Sequence, residues 1–397
     1  MAKLIGLVGK PNCGKSTFFS AATLAEADIA SYPFTTIKAN HGMGYVRIDC
    51  ACKEFDVECD PNNSFCLNGQ RFVPVELLDV AGLVPGAHEG KGLGNQFLDD
   101  LRKADALIHI VDSAGATDAD GKSCEPGTHD PKEDVKFLED EIDEWFFSLL
   151  KDDWDKIRRE VKLAGKDLLK ELAEKFSGLK IDEHQVSYAV KKAELDLDEF
   201  NKWEDKELRK FSTSLRKVSK PIIVCGNKCD LEEGIENIDK LKELGRTIPA
   251  SADSELALRR AAEKELIKYI PGDSDFEIEG HVKEKQKKGL EFIKENVLEK
   301  LGNTGVQQTL NEAALDLLGL IAVFPVEDVN KLTDKKGNVL PDTYLVEKGT
   351  TAEELAYKIH SDIGENFICA VDARTKRKLG ADHELKHGDV VSIQSKN

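Results

Sequence analysis

A run of nine residues near the start of the chain has the residue types and spacing that bind a phosphate. Residues 9–17 read GKPNCGKST and directly follow the apolar run LIGLV at 4–8. The glycines let successive N–H groups face inward, the lysine brings a mobile charge to the β- and γ-phosphates, and the serine offers a hydroxyl to Mg²⁺. The helix that begins there directs the positive end of its dipole at the phosphates. We therefore predict a phosphate-binding loop formed by Gly9, Lys10, Pro11, Asn12, Cys13, Gly14, Lys15, Ser16 and Thr17.

Three further residues can sense the third phosphate of a nucleotide. Thr36 stands in the segment SYPFTTI, where its hydroxyl can close the Mg²⁺ shell when a γ-phosphate is present. Asp79 ends a largely apolar run and can hold Mg²⁺ through water, while the N–H of Gly82 can contact the γ-phosphate. The candidate Mg²⁺ ligands are thus Ser16, Thr36 and Asp79, and the candidate catalytic residues are Lys15, Thr36, Gly82 and Asn12.

The sequence NKCD at 227–230 predicts which base is bound. Asp230 can accept from both the N1–H and the 2-amino group of guanine, and Lys228 can pack its stem along the ring. Asn227 can tie this loop to the phosphate-binding loop. Adenine lacks that pair of donors, so a buried carboxylate would stay unpaired against it at a cost of about 1–3 kcal/mol. The motif therefore predicts guanine.

The segment IPASAD at 248–253 supplies the last motif. It contributes Ser251 and Ala252, and the N–H of Ala252 is expected to reach the guanine O6. Five motifs in this order, each at the end of an expected strand, indicate a guanine-nucleotide domain.

The elements that must position these residues indicate an α/β protein. Apolar runs before the motifs predict a mainly parallel sheet, and three- and four-residue spacing of apolar side chains predicts helices between two of its strands. Near the end of the chain, short strands flank one helix in the order β-β-α-β-β, with Thr350 or Thr351 as the helix cap and Glu353 or Glu354 in its first turn. We expect a discontinuous P-loop domain at 1–130 and 218–320, a helical insertion at 131–217, and a β-grasp domain at 321–397.

Composition narrows the classes of partner. The chain has 397 residues, a net charge of −18 and 40% hydrophobic residues, which fits a soluble protein of two or three domains. The acidic balance argues against bulk attraction to DNA or to an anionic membrane, although a local basic face stays compatible with RNA. Nine cysteines, no export signal and no apolar run near ~20 residues lead us to expect a reducing, cytoplasmic setting without a membrane span.

Several of these stretches resemble one family. GKPNCGKST at 9–17, YPFTTI at 32–37, the long stretch 79–112 and NKCD at 227–230 resemble the Obg-related translation-factor GTPases, in particular the archaeal form of the YchF-like branch. The region from about 323 resembles the TGS domain, a small ubiquitin-like β-grasp module. The resemblance implies a GTP-hydrolysing molecular switch that acts on the ribosome or tRNA and is slow without an activator.

Two questions of function remain open within that resemblance. The alternative to a switch is a nucleotide-sensing binding module or stress regulator in which hydrolysis is incidental. YchF proteins of bacteria and eukaryotes carry a degenerate NKxD motif and favour ATP, whereas this chain keeps Asn227, Lys228 and Asp230. We therefore predict GTP rather than ATP.

The group that orients the attacking water is not the usual glutamine. That position holds Leu83, which cannot orient water. Asn12 is one replacement, because an asparagine at this place can help to coordinate a K⁺ ion that stabilises charge. His129 and His88 are further candidates, although we interpret each more simply as a surface histidine.

A short insert at 48–70 contains four cysteines, Cys50, Cys52, Cys59 and Cys66. Their spacing is short enough for four thiolates to converge on one structural Zn²⁺ ion. Free thiols and redox-linked pairs are the alternatives. Cys13 and Cys229, within the nucleotide motifs, are expected to be small buried fillers.

One basic cluster stands out against the acidic background. Residues 372–378, DARTKRK, bring together Arg374, Lys376, Arg377 and Lys378. This cluster is either an RNA contact or an exposed hairpin turn.

Overall fold

The computed structural model describes residues 3–24, 40–80 and 94–396. Its strands are β1 (Leu4–Val8), β2 (His41–Asp49), β3 (Phe65–Leu67), β4 (Gln70–Asp79), β5 (Ala106–Asp112), β6 (Ile222–Asn227), β7 (Thr247–Pro249), β8 (Ile267–Lys268), β9 (Glu277–Ile278), β10 (Leu320–Val326), β11 (Tyr344–Glu347), β12 (Phe367–Asp372), β13 (Lys378–Leu379) and β14 (Val390–Ser395).

The described residues also form helices of varied length. They are α1 (Lys15–Thr23), α2 (Ala51–Phe55), α3 (Gly94–Lys103), α4 (Pro131–Ala164), α5 (Leu168–Phe176), α6 (Glu183–Lys192), α7 (Asp205–Ser219), α8 (Glu232–Glu236), α9 (Ile238–Lys242), α10 (Ala252–Glu263), α11 (Glu284–Ile293), α12 (Glu299–Leu301), α13 (Val306–Asn311), α14 (Ala352–Ile359) and α15 (Ser361–Glu365). Wider π-helical turns cover Lys294–Leu298 and Glu312–Leu317.

The chain divides into two compact units. The first contains the described residues of 1–21, 40–42 and 76–309, and the second those of 22–39, 43–75 and 310–397. We expected the cysteine insert to belong to the nucleotide domain. It groups instead with the C-terminal residues, because its backbone is hydrogen-bonded to that segment although the two are far apart in sequence.

The first unit is built on a parallel sheet with the strand order β4-β1-β5-β6-β7. Its registers pair Leu7 with Asp79, Val8 with His109, and Asp112 with Asn227. Because the strands are parallel, their carboxyl ends lie at one edge, next to the loop that follows β1. The expected P-loop sheet is confirmed, and this edge positions the candidate site.

The helical insertion belongs to the same unit, and its core is continuous with buried residues of β1, β5 and α3. Asp130 caps α4 by accepting from Lys132 N at 3.0 Å, and Pro131 occupies the first turn, where no N–H is needed. Trp154 and Trp203 stack with ring centroids 5.6 Å apart and planes 7° apart. Large aromatic and aliphatic side chains from α4 to α7 are buried around this pair, which explains why four helices form here rather than loops.

The second unit contains the β-grasp sheet, ordered β11-β10-β14-β12-β13. Strands β10 and β14 run parallel and the other pairs are antiparallel. Thr351 and Glu354 form a reciprocal capping box at the start of α14, which confirms the second of the two expected caps.

The insert is bonded to the C-terminal segment of this second unit through its backbone. Asp60 N donates to Val339 O at 2.8 Å, and Asn62 N donates to Pro341 O at 2.7 Å. Strand β3 pairs antiparallel with β4 through Phe65 and Phe72, whose rings stack 4.7 Å apart. The insert thus has a fixed position within its unit.

Candidate functional site

The loop after β1 has a backbone that only glycine allows at two places. A Cβ on Gly9 would lie 2.5 Å from Ile110 O, and a Cβ on Gly14 would lie 2.1 Å from Asn227 Nδ2. Gly14 also has a φ of 98°, in the left-handed region. Both glycines of the motif are therefore needed for the loop to lie against β5 and β6.

Lys15 and Asp79 meet at the edge of the sheet. Lys15 begins α1, and its Nζ forms an ion pair with Asp79 Oδ1 and donates to Val80 O at 2.7 Å. The lysine side chain is 14% exposed and the aspartate side chain 20%. The residues expected to face the phosphates and Mg²⁺ are thus adjacent, and Ser16 is exposed at the start of the helix beside them.

Lys10 contributes to the site in a way that the sequence did not predict. Its Nζ lies 2.8 Å from Asp134 Oδ2 and donates to Thr117 O at 2.9 Å, with only 6% of the side chain exposed. In this structure the charge of the Lys10 side chain is thus paired with a buried carboxylate. Its backbone remains part of the loop.

His129 belongs to the same buried group. Its Nε2 lies 2.8 Å from Asp134 Oδ1, and 9% of its side chain is exposed. The surface interpretation of His129 is thus wrong. Asp134 bridges the phosphate-binding loop and this histidine, a role that no sequence signal indicated because the residue sits inside an ordinary amphipathic helix.

A second loop, residues 113–130, lies against the phosphate-binding loop. Asn12 Nδ2 donates to Gly121 O at 2.9 Å. A Cβ on Gly121 would lie 2.6 Å from Pro11 O, and this glycine has a φ of 80°. The close approach explains the glycine at 121, and the hydrogen bond fixes the side chain of Asn12.

Asn227 connects the phosphate and base motifs. Its Nδ2 donates to Cys13 O at 2.9 Å, and its Oδ1 accepts from Ala252 N at 2.9 Å. The expected tie between the two loops is present. This first N–H of α10 lacks a partner within the helix and is satisfied here by Asn227, so its contact with guanine O6 stays a prediction.

Both charged residues of the base motif, Lys228 and Asp230, are hydrogen-bonded to neighbouring side chains. Asp230 Oδ1 accepts from Ser251 Oγ at 2.8 Å, which orients the carboxylate. Lys228 Nζ lies 2.8 Å from Oδ2 of Asp112, which is fully buried and also accepts from Thr117 Oγ1 at 2.7 Å. Sequence reasoning missed Asp112, although its place at the end of an apolar strand was a usable signal.

Burial sets the protonation of the groups beneath the site. It raises the pKa of Cys13 and of Cys229 to about 11, so both thiols are neutral and fill space as expected. Burial, with a smaller effect from the charge of Lys10, lowers the pKa of His109 to about 3. This imidazole is therefore neutral at pH 7.

Four predicted residues lie outside the described part of the chain. They are Thr36, Gly82, Leu83 and His88.

The four cysteines of the insert come together in the second unit. Their sulfur atoms all lie within 4.8 Å of one another, and the pairs Cys50–Cys59 and Cys52–Cys66 are each 3.9 Å apart. Cys50 caps α2, Cys52 lies in its first turn, and Cys66 lies on β3.

Two residues of the basic cluster at 372–378 form hydrogen bonds within the second unit. Arg374 forms two hydrogen bonds of 2.6 Å with the carboxylate of Glu54, and Lys376 Nζ donates to Val329 O at 2.6 Å. Arg377 and Lys378 are exposed. The turn is thus in part a structural contact of the insert.

Among the helices of the described residues, none is both long and apolar enough to cross a membrane.

Three family models match the chain. The model described as Obg-like GTPase YGR210-like, G4 motif-containing domain, matches residues 225–328. A 50S ribosome-binding GTPase model matches residues 4–145, and the TGS domain model matches residues 330–395.

Individual relatives match along nearly the full length. A GTP-binding protein of Methanocaldococcus jannaschii is 50% identical over 99% of each chain. The ribosome-binding ATPase YchF of Bacillus subtilis is 29% identical over 99% of each chain. The crystal structure of a GTP-binding protein from Pyrococcus horikoshii superimposes with a TM-score of 0.78 at 40% identity and covers both chains completely.

Proposed function

The chain belongs to the YchF/Obg-like family of GTP-binding proteins, and we propose that it hydrolyses GTP slowly as a molecular switch acting on the ribosome or tRNA. The observation that carries the proposal is the orientation of Asp230 by Ser251, beside an Asn227 that bonds to the phosphate-binding loop. This arrangement joins a guanine-reading carboxylate to a triphosphate site.

The base contacts support GTP over ATP. A carboxylate held in place by Ser251 Oγ can accept from two adjacent donors of guanine, and adenine does not offer such a pair. Relatives named as ATPases, such as YchF of B. subtilis at 29% identity, are more distant than the 50% identical protein named as GTP-binding.

The phosphate contacts support a metal-dependent complex. Ser16, Thr36 and Asp79 would hold Mg²⁺, which neutralises charge on the phosphates when it is bound. Lys15 would exchange its contact with Asp79 for phosphate oxygens, and the carboxylate would then be free for the metal shell. The two groups fit these roles because they already lie next to each other at the carboxyl edge of the sheet.

Hydrolysis needs a substitute for the glutamine replaced by Leu83. We favour Asn12, because its Nδ2 is engaged by Gly121 O and its amide oxygen is then the atom that can coordinate K⁺. His129 is a second candidate, since Asp134 orients its ring close to Lys10 of the same loop. Turnover in K⁺ and in Na⁺ buffers distinguishes the two, because the same rate in both excludes the K⁺ role.

Two of the proteins and family models that match the chain indicate a role at the ribosome. One relative is named a ribosome-binding ATPase, and one matching family model is described as a 50S ribosome-binding GTPase. Arg377 and Lys378 are the exposed basic residues that could meet RNA.

Nucleotide selectivity is the direct test. Titration with fluorescent GTP and ATP analogues should give GTP binding at least ~10-fold tighter. Asp230→Ala should weaken GTP binding about 10-fold or more and leave ATP binding unchanged. Glu232→Ala is the matched control, since this exposed carboxylate stands two residues after Asp230 and outside the motifs. Equal or tighter binding of ATP by the wild-type chain contradicts the proposal.

The switch is tested separately. Co-sedimentation with ribosomes should depend on whether GDP or a non-hydrolysable GTP analogue is bound, and ribosomes should stimulate turnover. Binding that is the same in both nucleotide states would favour a sensing module instead.

A further inference from the structure

We propose that Cys50, Cys52, Cys59 and Cys66 bind one Zn²⁺ ion that fixes the insert within the second unit. The proposal is independent of the nucleotide activity. It rests on the placement of the four sulfurs, the nature of the donors and the charge of the side chain beside them.

The sulfur positions match the geometry of a tetrahedral ion. Four ligands about 2.3 Å from a zinc ion lie about 3.8 Å from one another, the edge of that tetrahedron. The two closest pairs are 3.9 Å apart and all four sulfurs lie within 4.8 Å. A disulfide requires about 2.05 Å, so neither pair is bonded in this arrangement.

The donor set favours zinc over other metals. Four thiols without a carboxylate or imidazole suit a soft or borderline ion in a closed site, where no position is left for a reacting water. A cluster of several irons would hold its sulfur ligands farther apart, because they bind different iron atoms. The site is therefore structural rather than catalytic.

Arg71 supplies the charge that such a site needs. Four thiolates around Zn²⁺ leave two negative charges, and the guanidinium of Arg71 is fully buried with its Nε donating to Cys50 Sγ at 3.4 Å. Its two other nitrogen atoms donate to Ser64 Oγ at 3.0 Å and to Leu340 O at 2.9 Å. Within the described ranges no carboxylate forms an ion pair with it, and Asp342 interacts with its charge only from a longer distance. A buried guanidinium requires a negative partner, and metal-bound thiolates provide one.

The position of Cys59 indicates what the ion stabilises. The next residue, Asp60, begins the backbone contacts with the C-terminal segment at Val339. Asn63 extends them by donating to Thr343 O at 3.0 Å and accepting from Thr343 N at 2.9 Å. Residues 57–64 have no helix or strand of their own. The ion thus closes a loop whose backbone holds the C-terminal domain.

Metal analysis of the full chain, purified without chelators, is the first test. We expect about one zinc ion per chain, and a loss of about tenfold or more in the double variant Cys59→Ser, Cys66→Ser. Cys369→Ser is the matched control, because this partly buried cysteine of the same unit lies outside the cluster and should leave the zinc content unchanged. Wild-type protein without zinc, or with iron in its place, contradicts the proposal.

A second measurement guards against a variant that fails to fold. Wild-type chain stripped of metal should take up Co²⁺ with the absorption bands of a tetrahedral thiolate site, and chelation should speed amide exchange at 57–66 and 338–343. Absence of those bands overturns the proposal. So does a mass that shows disulfides in the alkylated, unreduced protein instead of nine free cysteines.

Discussion

The nucleotide site and the cysteine cluster place their charged groups in opposite ways. At the nucleotide site, Lys15 and Asp79 are partly exposed and pair with each other, so each can change partner when a ligand arrives. In the cysteine cluster, four sulfurs face one another beside the fully buried Arg71. A site that must release its ligand keeps exchangeable contacts, and a site that only holds the fold needs none.

The largest effect should follow removal of the exchangeable lysine. Lys15→Ala removes charge-assisted contacts to the phosphates, and we expect GTP to bind about 100-fold more weakly or worse. Equilibrium titration with a fluorescent GTP analogue measures this loss. Lys202→Ala is the control, because this exposed lysine is paired with the exposed Glu199. The zinc content of the Lys15 variant should stay that of wild type, and a drop in it would contradict the independence of the two sites.

An intermediate effect should appear in acid, in the unit that holds the nucleotide site. The pKa of His109 is about 3 in the fold, against an ordinary value of 6.5. The free energy of unfolding is therefore unaffected by this histidine above pH 6.5 and decreases as the pH falls toward 3, because the unfolded chain takes up the proton first. Between about pH 7.5 and about pH 5 we expect a loss of about 2 kcal/mol in the free energy of unfolding.

Denaturant unfolding at the two pH values provides the measurement. The variant His109→Gln does not titrate there and should lose about 2 kcal/mol less on acidification than wild type. An equal loss in both proteins would assign the acid sensitivity to other groups. Zinc content measured in the same samples separates this effect from protonation of the cysteines.

The smallest effect should come from the exposed ion pair of the second unit. Arg374 bonds to Glu54 in the insert, yet its side chain is 32% exposed and that of Glu54 is 51% exposed. Arg374→Ala should therefore lower stability by less than about 1 kcal/mol, with Arg377→Ala as the solvent-exposed control. Thermal unfolding measures both. A loss comparable to that caused by zinc removal would mean that the ion pair, rather than the cluster, fixes the insert.

The sequence predicted the fold around the candidate site well where the signals are contiguous. The phosphate loop, the parallel sheet and the cap of α14 follow from local patterns, because glycine turns, strand ends and capping boxes are short-range features. Asn227 was placed correctly, since its partners belong to motifs with a fixed order. Four cysteines within one short insert likewise allowed a metal to be considered.

The contacts that the sequence did not predict join residues far apart in the chain. Lys10 and Asp134 form a buried pair from a loop and from a helix that otherwise has ordinary amphipathic spacing. The insert bonds to Val339 and Pro341 through backbone groups, which carry no residue-specific signal. The hydrogen bond from the Ala252 N–H to the Asn227 side chain was not predicted, because it depends on tertiary packing.

The pairing of Lys15 with Asp79 has a thermodynamic consequence. A phosphate that draws the lysine away leaves the carboxylate without its cation, and Mg²⁺ restores the balance. If Mg²⁺ binds at Asp79 as proposed, nucleotide and Mg²⁺ strengthen each other's binding, and by reciprocity each does so by the same factor. On a chain with a net charge of −18, this coupling would disfavour loading by a bare, metal-free nucleotide and would make the Mg²⁺ concentration an input to the proposed switch.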